Sequence, residues 1–133
     1  MAVASSARMT NSKADALKAR TKRFALAVLS FRRTLPLTDE AADIGRQLSR
    51  AATAVGANYR AACRSRSDAE FVARIGVVLE EADESAFWLE IVTEGEISTK
   101  PEALQLLDEA NQLTAIFAAS SITVRARINR KSI

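Results

Sequence analysis

The chain has 133 residues, 48% of them apolar, with 4 glycines, 2 prolines, a single cysteine and no histidine. That is one domain's length, enough to bury a core without disulfides or metals, and no apolar run approaches the ~20 residues of a membrane span. Net charge is only +3, and the lack of histidine excludes a di-iron bundle of the Glu-x-x-His type, while one cysteine cannot build a structural zinc site.

Ala, Leu, Glu and Arg dominate, residues that lose little on entering a helix, so the chain reads as all-α. Residues 1–12, small and polar without an apolar signal core, read as a flexible tail and not an export signal. From about Lys13 to Leu35 the apolar residues Leu17, Phe24, Val28, Phe31 and Leu35 recur at three- and four-residue steps on one stripe, and Pro36 stops the helix. A second helix, about Glu40 to Arg64, carries Ile44, Leu48, Ala51, Val55, Tyr59 and Ala62, with Thr38 or Asp39 as its cap. Ser67 followed by Glu70 is a capping box for a third helix, which runs to Glu94 with Gly95 as its C-terminal cap. Pro101 opens the fourth, striped by Leu106, Leu107, Ala110, Leu113, Phe117, Val124 and Ile128. Short connections between four long helices predict an antiparallel up-down-up-down bundle over 13–128, followed by a basic C-terminal tail over 129–133.

The third helix is apolar on two sides. Phe71, Ile75, Val78, Ala82 and Leu89 form one row, and Val77, Trp88, Ile91 and Val92 another. A helix greasy on two sides must bury both, either in a wide core or against another subunit, so the second row is the candidate interface.

Charge is unevenly spread. Residues 1–78 carry 14 basic and 6 acidic side chains, and residues 79–124 carry Lys100 against 10 acids. At about 100° per residue, Arg46, Arg50, Arg60 and Arg64 share one side of the second helix, and Glu80, Asp83, Glu84, Glu90 and Glu94 one side of the third. Arginine's fork of donors suits carboxylates and phosphates alike. Three readings stay open for this stripe: a solvated face, pairing with acids of the same or a neighbouring chain, and capture of RNA or DNA backbone. The first helix (Lys18, Arg20, Lys22, Arg23, Arg32, Arg33) and the tail offer further contacts to an anionic partner. No aromatic platform for stacking bases is evident.

Nothing supplies a catalytic constellation or a cofactor or metal site. No G-x-S-x-G, Walker or G-x-G-x-x-G motif occurs, and the carboxylates of Glu80 to Glu84 read as a charged face. The lone Cys63 fits a reducing, cytoplasmic setting.

Gly56, Ala57, Asn58, Tyr59 and Arg60, then Ser67, Glu70 and Phe71, then Glu81, Ala82, Glu84, Phe87, Trp88 and Leu89 follow a known pattern. Across about residues 13–125 the chain resembles the small four-helix-bundle proteins encoded within intervening sequences of bacterial 23S ribosomal RNA genes. One departure is Ala61, where the family pattern has glutamate. The resemblance implies a cytosolic, non-enzymatic bundle assembled as a ring of five. Related bundles serve as accessory subunits of retroelement reverse transcriptases and bind nucleic acid through basic surfaces. Together the two readings give an oligomeric, non-enzymatic scaffold or accessory protein associated with nucleic acid, or a purely structural oligomer. They also suggest a polar network of Asn58, Arg60, Glu81 and Glu84 that fixes helix register.

Overall fold

The computed structural model describes the backbone of residues 2–132 and the side chains of residues 12–131. Four helices follow one another: α1 (Ala2–Arg32), α2 (Asp39–Ala62), α3 (Asp68–Glu94) and α4 (Pro101–Ser132). Each packs on its neighbours in sequence and α1 also touches α4, while among the described residues the backbones of the diagonal pairs α1/α3 and α2/α4 stay apart. This is the four-cornered, all-α bundle that the stripes predict.

The punctuation works largely as the sequence indicates. Two turn hydrogen bonds, from Thr34 N–H to the Phe31 carbonyl and from Leu35 N–H to Arg32, close α1 just before Pro36. Thr38 Oγ1 accepts from Ala41 N–H at 3.1 Å, and Ser67 Oγ accepts from Glu70 N–H at 3.1 Å. The Glu70 carboxylate reaches back one residue further than an ordinary capping box, to the backbone N–H of Arg66. That bond is the main reason its carboxyl titrates below the usual range.

At the end of α3 the roles of two residues separate. Gly95 is the C-cap with φ −81°, and the left-handed residue is Glu96, at φ 55°. Ile97 N–H bonds the Val92 carbonyl at 2.9 Å and Glu96 N–H that of Thr93, a Schellman arrangement. Gly95 is there for space, since a Cβ would sit 2.7 Å from the Ile91 carbonyl oxygen.

The core draws on all four stripes. Val28, Leu48, Val55, Ile75, Val78, Leu89, Leu113 and Phe117 are fully buried. Phe117 meets Tyr59 with ring centroids 5.4 Å apart. Burial, with Cys63 adjoining, pushes the Tyr59 phenol above its ordinary value. Thr21 and Ser85 are buried with their hydroxyls satisfied, since these donate to carbonyls one turn back, Leu17 and Lys18 for Thr21 and Glu81 for Ser85. Gly56 lets α1 come close: a Cβ there would lie 3.3 Å from Thr21 Oγ1.

Helix α1 starts at Ala2 and α4 runs through Ser132, so the backbone is helical across most of the expected tails. The side chains before Ser12, together with Met1 and Ile133, lie outside the described residues. Polarity in these stretches forbids burial, not helicity, and neither contains a proline or glycine to break the helix once it is started.

Between the start of α3 and the end of α4, Arg127 grips Asp68 through two hydrogen bonds of 3.0 Å, and Lys131 lies 3.4 Å away. Arg127 is the main reason the Asp68 carboxyl sits below its ordinary 3.8. A depressed carboxylate stabilises the fold above its unfolded pKa, and that contribution is lost as pH falls through the folded value. Asp68→Asn is therefore expected to melt below wild type near pH 7, with the gap closing as acid takes the pH below the ordinary carboxylate range. A gap of equal size in neutral and in acidic buffer would show that the pair is not the cause.

Candidate functional site

The arginine stripe of α2 divides into two halves. Arg46 pairs within its own helix with Asp43. Arg50 crosses to α3, where it bonds Glu84 and lies 3.3 Å from Glu81. So the residue bridging α2 to the acids of α3 is Arg50, and the expected link from Arg60 to Glu81 or Glu84 does not form. The antiparallel register explains this. Ten residues separate Arg50 from Arg60, about 15 Å of helix, and α3 runs the other way. Asn58 joins no network either, since its Nδ2 donates to the Ala54 carbonyl at 2.9 Å on its own helix.

Arg60 and Arg64, one turn apart, have no ion-pair partner among the described residues. They form one wall of a trough between α1 and α2. Lys18 and Lys22, also one turn apart, form the other. The floor is made mostly of small residues, Ala19, Ala25, Gly56 and Ala57, with Thr53 and Cys63 completing the lining, and the trough encloses about 680 Å³. No acidic residue lines it. Asp15, exposed on α1, pairs with one of the wall cations, its carboxylate 3.7 Å from the Lys18 ammonium. Arg20, by contrast, is drawn away to α4, where it forks onto Glu109 at 2.6 and 2.8 Å and reaches Gln112. The bond to Glu109 raises the guanidinium's pKa and fixes its charge in the α1/α4 seam.

The trough is a concentration of like charge held open over a floor too small to fill it. Cations arranged this way repel one another unless an anion lies between them. The sequence could show two basic stripes on α1 and α2. It could not show that Lys18 and Lys22 face Arg60 and Arg64, because this depends on the close approach at Gly56 and Thr21.

The candidate interface on α3 is also redistributed. Val92 is fully buried in the chain's own core. Trp88 and Ile91 are half-buried and pack against that core. Val77 is exposed, and Phe87, absent from the expected row, is 49% exposed and meets Trp88 edge-on at 5.0 Å. The outward apolar face is thus Val77, Phe87 and the open side of Ile91. Beside it, Trp88 Nε1 is shut off from solvent with no hydrogen-bond partner among the described residues, and the buried Glu81 Oε2 has only the 3.3 Å ion-pair contact with Arg50. Among the described residues no three acids or thiols gather as a metal site, and no helix is long and apolar enough to cross a membrane.

These features define an all-α four-helix bundle with a basic inter-helix trough and a partly apolar outer face on α3. The chain belongs to the 23S rRNA-intervening sequence protein family, whose sequence profile matches residues 16–119. Among solved structures it is similar to a protein of unknown function from the S23 ribosomal protein family of Bacteroides thetaiotaomicron. The TM-score is 0.71 at 23% identity, with 78% of this chain and 96% of that chain covered. That likeness bears on the fold. No curated protein matches the sequence.

Proposed function

We propose that this protein is a non-enzymatic, cytoplasmic, self-associating bundle that docks the phosphate backbone of RNA or DNA in the α1/α2 trough. The observation that carries the reading is the facing of Lys18 and Lys22 with Arg60 and Arg64 over a floor of alanine and glycine, with no acid in the lining. Phosphodiesters supply anionic oxygens at intervals along a flexible chain, and arginine and lysine neutralise them with release of counterions. Small floor residues give no base-edge donors, so the trough itself distinguishes backbone from solvent and not one sequence from another. Titration of mixed-sequence RNA and DNA at a series of salt concentrations tests this. Log affinity should fall linearly with log salt, with a slope of roughly −3 to −4 for four phosphate contacts. Absence of binding at low salt, or a flat salt response, would remove the reading.

A second reading, a structural oligomer with no nucleic-acid ligand, draws support from the α3 face. Val77 and Phe87 expose apolar surface beside a buried indole N–H that has no acceptor among the described residues. A neighbouring copy covering this face would bury the first and could satisfy the second. A homopentamer is the assembly we propose, in line with the family resemblance. Because α1 and α3 are diagonal corners, assembly through α3 leaves the trough free, so the two readings are compatible. Phe87→Glu should reduce the mass seen by light scattering to that of a smaller species. A wild-type chain that is monomeric at micromolar concentration would rule the assembly out.

A further inference from the structure

Beside the trough lies a second cavity of about 590 Å³, and Lys18 and Cys63 are part of both linings. The two are therefore neighbours, yet their chemistry differs. The trough has a bare floor and charged walls. The cleft is walled by Leu17, Tyr59, Phe71, Ile116 and Val124, with Lys13, Arg66 and the Asp68–Arg127 ion pair also in its lining. Its size lies within the roughly 300–1,000 Å³ of small-molecule sites. Phe71, placed on a core stripe by its sequence spacing, is only half-buried because it stands at this wall. Ser120 and Ser67 add hydroxyls to the lining, that of Ser67 already accepting from Glu70 N–H, while the Ser65 hydroxyl is shut off from solvent.

Apolar walls with an aromatic ring, a few hydroxyls and an adjoining row of cations match the parts of a nucleotide. A base has two apolar faces and a polar edge, and its phosphates continue from it as a chain of charge. A base inside a duplex is stacked and paired and cannot enter such a cleft, whereas an unpaired one can. We infer that trough and cleft form one site for a single-stranded nucleic-acid end, the cations holding its phosphates and the cleft receiving an unstacked base beside Phe71. This rests on the backbone reading above and adds to it a preference for ends with an unpaired base.

Three DNA probes separate the two claims: a blunt duplex, the same duplex with a single-stranded overhang, and that duplex with an abasic overhang, which keeps the phosphates and lacks the bases. By fluorescence anisotropy, the overhang should bind roughly tenfold tighter than its abasic counterpart, the scale of one base stacked on an aromatic side chain. Phe71→Leu keeps apolar volume and removes the ring. It should bring those two affinities together and leave the blunt duplex unchanged. Equal binding of overhang and abasic overhang by the wild-type chain would overturn this inference while the backbone reading stands. A gap that persists in Phe71→Leu would also overturn it, by placing the base elsewhere. If none of the three probes binds with a salt-dependent affinity, both readings fail.

Discussion

Reversing both trough arginines, as Arg60→Glu with Arg64→Glu, is expected to lower affinity for nucleic acid by roughly two orders of magnitude at moderate salt. The log–log salt slope should drop by about two, one for each phosphate contact removed. The size of the effect follows from the geometry. Two of the four cations become anions, so Lys18 and Lys22 then face carboxylates across the Gly56 floor and are neutralised from within. The fold should hardly notice. Neither arginine has an ion-pair partner among the described residues, and exposed substitutions of this kind shift stability by about 0.5 kcal/mol or less. Arg50→Glu is the contrasting control. It breaks the bridge to Glu81 and Glu84, which is exposed at Arg50 and partly buried at Glu81, and it leaves the trough intact. Equal loss of binding in Arg50→Glu and in the double variant would mean that the anion lies along the whole α2 stripe and not in the trough.

Phe117→Ala should have the largest effect on stability. The ring is fully buried on α4 and packs against Tyr59 of α2, so its loss opens a cavity in the core between these two helices. Truncations of this type cost about 3–5 kcal/mol, set against a total of roughly 5–15 kcal/mol for a domain. Urea unfolding at fixed protein concentration measures it, since stability of an oligomer varies with concentration. A loss below about 1 kcal/mol would show that this part of the core collapses around the gap.

What could be read from the chain alone, and what could not, separates along a physical line. Stripe residues such as Val28, Leu48, Leu113 and Phe117 reveal themselves by spacing, and Thr38, Ser67 and Pro101 by local chemistry, because each depends only on residues within a turn or two. Arg50 and Arg60 look alike in sequence; only the register between antiparallel helices makes the first a bridge and the second part of a site. Val92 and Ile91 are adjacent, and the small rotation that buries one and half-exposes the other is set by where α2 and α4 settle. The positive φ falls on Glu96 although Gly95 is the residue that would adopt it most easily, because close packing on the Ile91 carbonyl claims the glycine first. Phe71 is the clearest case. Its spacing marks it as core, and its position at the mouth of the cleft comes from four chain segments meeting at one end.

The seam between α1 and α4 is thinner than the others and is bridged across its middle by the Arg20 fork onto Glu109. Helix α1 is therefore the corner of the bundle most ready to lift away, and its amides should exchange with deuterium soonest. It is also one of the two jaws that would close on an anion. A polyanion clamped between Lys18, Lys22 and the arginines opposite would act as a splint, slowing that exchange along α1 more than anywhere else in the chain.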